Sequence, residues 1–128
     1  MNIKNTALPL LLSALLTACA GYAPMAAAPA RVADGVLTDA KGMTLYVFDK
    51  DAAGSGKSVC NGPCATNWPP LMVTEGEDGG AAYSVVTRDD GSKQWAFKGK
   101  PLYRWVKDQK PGDKTGDGFN TVWHVATP

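Results

Sequence analysis

A ten-residue segment recurs in this chain at a constant offset of 57, and that duplication constrains the fold more than any other feature. Gly42-Met-Thr-Leu45-Tyr46-Val-Phe48-Asp-Lys50-Asp51 matches Gly99-Lys-Pro-Leu102-Tyr103-Arg-Trp105-Val-Lys107-Asp108 at six of ten positions, with Phe and Trp counted as alike. Thr66-Asn-Trp68 and Thr121-Val-Trp123 form a second matched pair further along each half. A repeat of this length is one supersecondary unit that must bury its apolar face on a neighbour. The sequence therefore predicts two structural half-repeats packed by pseudo-twofold symmetry.

Local patterning makes each unit all-β. Val36-Leu37-Thr38 and Met43 to Phe48 flank the turn Asp39 to Gly42, and Tyr83 to Thr87 faces Gln94 to Phe97 across Asp89-Asp90-Gly91. These are hairpin signals. Further strands are expected over Pro101–Val106 and Val122–Val125, with one helical turn at Pro63–Asn67. With 14 Gly and 9 Pro in 128 residues, long Gly/Pro loops between short antiparallel strands are favoured over long helices. Side chains alternate along a strand, so Tyr46 and Phe48 share one face, as do Tyr103 and Trp105. Both copies keep bulky aromatics on that face, while Val47 on the other becomes Arg104. The aromatic face is predicted to be core and the Val47/Arg104 face at least partly wet.

Tyr46-Val-Phe48-Asp-Lys-Asp51 and Tyr103-Arg-Trp105-Val-Lys-Asp108 both read Y-x-[FW]-x-x-D. The chain resembles the bacterial lipoproteins named for a Yx(FWY)xxD motif, also called the secreted repeat of unknown function. Cys60-Asn-Gly-Pro-Cys64-Ala-Thr-Asn-Trp68-Pro-Pro-Leu71 and Pro111 to Gly118 are similar to that family's other signatures, and the likeness covers roughly residues 34–126. The resemblance implies an envelope-located β domain and no established activity.

The N-terminal segment has the marks of an export signal. Lys4 is its one charge, and the apolar run from Ala7 to Leu16 is shorter than the roughly 20 residues a membrane span needs. Leu16-Thr17-Ala18-Cys19 reads as a lipobox, with Cys19 the acceptor of a diacylglycerol and further acyl (palmitate-type) chains. Residues 1–18 are thus expected to be removed, residues 19–34 to form an Ala/Pro-rich tether, and residues 35–128 to form the β domain. A flexible tether of that length reaches roughly 20–25 Å. Ala20, standing where an Asp would signal retention, points to the outer membrane facing the periplasm. Loss of residues 1–18 leaves 12 basic and 12 acidic residues. The neutral domain has no footprint for nucleic acid and no pull towards an anionic leaflet, so the lipid is the expected membrane attachment.

Few residues can carry chemistry. In an oxidising envelope Cys60 and Cys64 read as a structural disulfide. A metal site or a redox-active pair is the alternative, although C-x3-C is neither the C-x-x-C of thioredoxins nor the C-x-x-C-H of c-type haem attachment. His124 is the single histidine. It is a weak candidate axial ligand for haem, or a copper ligand with Met43 or Met72. Its neighbour Trp123 is claimed by the core, which turns His124 outward. The acidic loops Asp49–Asp51 and Asp113–Asp117 lack the closing Glu of a calcium loop, and Asp51 and Asp108 are expected to satisfy loop amides. With one His and two Glu, nucleophile–base pairs have little material, and no serine elbow, P-loop or H-E-x-x-H occurs. The expected function is a non-enzymatic binding or structural module, without cofactor, at the membrane surface. A haem, metal or redox accessory role is the alternative, and a hydrolase ranks last.

Overall fold

A computed structural model describes residues 27–128, so the export segment and Cys19 lie outside the described residues. The domain is built from seven short strands and one helical turn. These are β1 (Arg31–Ala33), β2 (Val36–Thr38), β3 (Tyr46–Phe48), α1 (Pro63–Asn67), β4 (Tyr83–Thr87), β5 (Lys93–Phe97), β6 (Lys100–Pro101) and β7 (Trp123–Val125). They form three small antiparallel sheets, β1-β2, β3-β7 and β4-β5-β6.

The sheets are small because hydrogen bonds pass around a junction instead of along a ladder. In one half Leu45 N–H donates to Leu37 C=O (2.9 Å), Leu37 N–H to Ala126 C=O (2.8 Å), and Ala126 N–H to Leu45 C=O (2.8 Å). The other half repeats the ring: Leu102 to Trp95 (3.0 Å), Trp95 to Leu71 (2.8 Å), Leu71 to Leu102 (2.9 Å). The chain closing each ring, at Ala126 or Leu71, comes from the opposite half of the sequence. The two halves have thus exchanged their last segments. Tyr46 and Tyr103 lie between them and exchange both backbone bonds, N–H to C=O at 2.8 and 2.9 Å. A ring of three bonds occurring twice, with one self-paired contact between, is what a pseudo-twofold relation requires.

The expected continuous strand over Pro101–Val106 is not formed. Only Lys100–Pro101 joins the sheet, and Tyr103 makes single bridges to Tyr46 and Pro70. Similarly, Met43 to Leu45 is held by one Thr38–Thr44 bridge ahead of β3. In both places three segments share the bonds that a two-strand ladder would monopolise.

The domain also begins earlier than composition suggests. Ala30 is buried in an apolar cluster with Leu37, Leu45, Leu102 and Ala126. Arg31–Ala33 is a strand, and Ala27 bonds the backbone of Gly76 and Asp78. The boundary at residue 35 therefore falls inside the fold. All three β1 side chains are exposed, so this strand contributes backbone bonds without a burial pattern that could be read from sequence.

Candidate functional site

The repeated motif builds the centre of the molecule. Tyr46, Tyr103, Trp68, Trp105 and Trp123 are buried around Cys60, with Phe48 half-buried against them. Arg104 is exposed and Val47 partly so, which places the two faces of the motif strands as the alternation requires. Four rings stack in the order Phe48, Trp123, Trp68, Trp105, with centroids 4.2, 3.8 and 4.0 Å apart. Tyr46 meets Trp68 edge-on at 5.3 Å, and Tyr103 meets Trp123 edge-on at 5.1 Å. Each tryptophan at the end of one half thus packs on the motif ring of the other half. Gly116 lets its loop cross this stack, since a Cβ there would lie 2.7 Å from the Trp68 ring.

Each motif tyrosine bonds the other half's motif aspartate. Tyr46 O–H donates to Asp108 Oδ2 at 2.6 Å, and Tyr103 O–H donates to Asp51 Oδ2. The remaining oxygens serve loops as expected. Asp51 Oδ1 accepts from Val59 N–H (2.8 Å), and Asp108 Oδ1 from the Thr115 amide (3.0 Å) and hydroxyl (2.6 Å). Both phenols are held well above the ordinary value of 10.0, first by burial and next by the carboxylate each one bonds. Their raised values contribute stability that is complete below pH 10 and lost as pH rises through the folded-state value. On alkaline titration, phenolate absorbance from Tyr46 and Tyr103 should therefore appear in the same step as the change in tryptophan emission. The chain has four tyrosines, so more than two phenols ionising before the emission moves would contradict the buried pairing.

The two halves differ around Asp51. Arg88, a buried cation with no counterpart in the other half, donates to Ser58 Oγ (3.0 Å), Gln94 Oε1 (2.8 Å) and the Cys60 carbonyl. Ser58 Oγ in turn contacts Tyr103 Oη at 2.6 Å. Burial pushes the Asp51 carboxyl above its ordinary value of 3.8, opposed by the Tyr103 and Val59 bonds and the Arg88 charge. The sequence reading missed Arg88, and the polar site of its hairpin carries no signal of burial.

Cys60 and Cys64 are joined, with Cα atoms 5.2 Å apart. A five-residue ring stabilises by about 2 kcal/mol in the loop-entropy account. His124 is turned away from the core, its side chain 45% exposed, and its Nε2 lies 2.8 Å from Asp49 Oδ2. It lines a groove of about 340 Å³ with Val47, Phe97, Lys98 and Lys100. Met43 and Met72 line other grooves, so the structure does not bring either methionine to His124. Among the described residues no three His, Cys, Asp or Glu side chains converge in a way that could hold a metal. No helix among them is long and apolar enough to cross a membrane.

The fold and its motif define a small all-β domain made from two interlocked repeats. The chain belongs to the family described as a secreted repeat of unknown function, whose model matches residues 30–72 and 84–127, one match for each half. No curated protein and no solved structure matches it.

Proposed function

We propose that the protein is a lipid-anchored module of the bacterial envelope that acts through its outer surface and carries out no catalysis at its motif. The observation supporting this reading is the position of the repeated residues. Tyr46, Asp51, Tyr103 and Asp108 are turned inward and bonded to each other across the two halves. The residues that define the repeat hold the fold together, and the outer surface is left for partners.

The Leu16-Thr17-Ala18-Cys19 sequence supports the anchor, and membership of a secreted family supports export. Ala20 favours the outer membrane, with the domain facing the periplasm. Several acyl chains on one residue hold stably where one chain does not, so the neutral domain needs no other attachment. Eight residue steps separate Cys19 from Ala27, where the fold takes hold. At no more than about 3.6 Å per residue, those steps keep the domain within about 30 Å of the lipid.

The test is metabolic labelling of the full chain with an alkyne fatty acid in a Gram-negative host. The wild type should carry the label and sediment with outer membranes through a high-salt wash. Cys19→Ala should lose the label and pass to soluble or unprocessed fractions. A labelled variant, or one retained on washed membranes, would overturn the anchor.

A further inference from the structure

We propose that Cys60–Cys64 is a thiol–disulfide exchange site that accepts two electrons from a dithiol protein of the envelope while the domain stays folded. Cys64 is the sulfur attacked and Cys60 the sulfur displaced. This role goes beyond tethering and does not rest on it.

The first observation is how little the bond spans. Both cysteines lie in one loop, four positions apart, so the bond ties no two distant elements together, and a small ring constrains the unfolded chain least.

The second half of the molecule is a built-in comparison that lacks the bond. Gly118–Trp123 stands where Gly62–Trp68 stands, and both segments start at a glycine with positive φ, 78° and 57°. The cysteine-free segment closes on backbone bonds alone, Gly118 N–H to Trp123 C=O (2.8 Å) and Thr121 N–H to Gly118 C=O (3.0 Å). It still delivers Trp123 to the ring stack opposite Trp68. Placing the tryptophan in this loop does not require a disulfide.

The cysteine loop has supports of its own that do not involve sulfur. Thr66 N–H reaches Gly62 C=O (3.1 Å) and Trp68 N–H reaches Cys64 C=O (2.8 Å). Arg88 holds the Cys60 carbonyl and Asn61 Oδ1, and Ser58 Oγ takes the Cys60 N–H at 3.1 Å. None of these bonds is made by a sulfur atom.

The two sulfurs are also unequal. Cys60 is wholly buried in the aromatic cluster, whereas Cys64, on the first turn of α1, is partly exposed. Its neighbours Gly62 and Ala65 line an open groove of about 500 Å³. Exchange requires in-line approach to one sulfur with departure of the other. From outside, that approach falls on Cys64. A thiolate of the dithiol protein bonds Cys64 Sγ as the Cys60–Cys64 bond breaks, and Cys60 departs as a thiolate, with the Arg88 charge one carbonyl away. The second thiol of the donor then attacks its own mixed disulfide, releasing Cys64. The donor leaves as a disulfide, and the Cys60–Cys64 pair has gained two electrons and two protons.

Full-length protein treated with excess dithiothreitol should gain about 2 Da, the two hydrogens of a reduced pair, with near-ultraviolet circular dichroism and tryptophan emission unchanged. Loss of those signals on reduction would make the bond a structural staple and overturn the proposal. With glutathione disulfide, the Cys64 thiol of Cys60→Ala should react at least about tenfold faster than the Cys60 thiol of Cys64→Ala, because access governs exchange. Equal or reversed rates would overturn it, as would failure of either variant to fold.

Discussion

Trp68→Ala should cost the domain about 5 kcal/mol, a third or more of its stability. Trp68 is inside the stack, with Trp123 on one side at 3.8 Å, nearly parallel at 3°, and Trp105 on the other at 4.0 Å. The edge of Tyr46 closes a third side. Truncating a buried tryptophan costs about 3–5 kcal/mol in lost transfer energy and cavity. Phe119 lies 5.8 Å away as a fourth aromatic neighbour; aromatic pairs add about 0.5–1.5 kcal/mol each, so this ring belongs at the upper end. A domain of this size has about 5–15 kcal/mol in total. Trp123→Ala should cost about as much, because Trp123 has the equivalent neighbours, Phe48, Trp68 and Tyr103. Phe48 is half-buried at one end of the stack, and its truncation should be the mildest of the four. Urea unfolding of the four alanine variants checks the ranking, and equal costs would mean that the stack is not the organising unit.

The parts of this architecture legible in sequence are those encoded by side-chain alternation and by repetition. Tyr46 and Tyr103 keep a bulky ring two residues on, which identified the inner face, and the offset of 57 identified two halves. α1 was marked by Pro63 at its start, and the β4–β5 hairpin by Asp89-Asp90-Gly91. What stayed hidden depends on which half meets which. Asp51 and Asp108 look alike as loop-capping residues, and nothing local reveals that each also receives a phenol from the other copy. Exchange of the terminal segments is likewise a property of the assembled halves, since β7 would read the same whether it paired with β3 or with a strand of its own half. β1 was missed because its exposed side chains leave only backbone bonds to define it. Arg88 was missed because its burial depends on a loop twenty-eight residues earlier, whose Cys60 carbonyl and Ser58 hydroxyl face inward.

Asp108→Ala should be among the most damaging substitutions of a polar residue in the molecule. It leaves the Tyr46 hydroxyl without its carboxylate, and the Thr115 amide and hydroxyl without their acceptor. The buried Tyr46 hydroxyl loses its partner at about 1–3 kcal/mol, whereas Thr115 is exposed and turns to water, so a total of about 2–3 kcal/mol is expected. Tyr46→Phe removes one of those bonds and should cost about 2 kcal/mol. The double variant should cost less than the sum, since the two side chains share one interaction. On the other side of the pseudo-twofold the pair Tyr103–Asp51 adds a dependence on pH. The Asp51 carboxyl is raised above 3.8 because burial outweighs the Tyr103 and Val59 bonds and the Arg88 charge. A carboxyl raised on folding contributes stability that is complete below 3.8 and is lost as pH rises through its folded-state value. Asp51→Asn keeps the shape and removes the titration. The wild type should therefore gain on Asp51→Asn as pH falls towards 4, and unfolding curves of both proteins across that range measure the gain. A difference that does not change with pH would mean that Asp51 ionises in the folded domain as it does in water, with Tyr103, Val59 and Arg88 offsetting its burial in full.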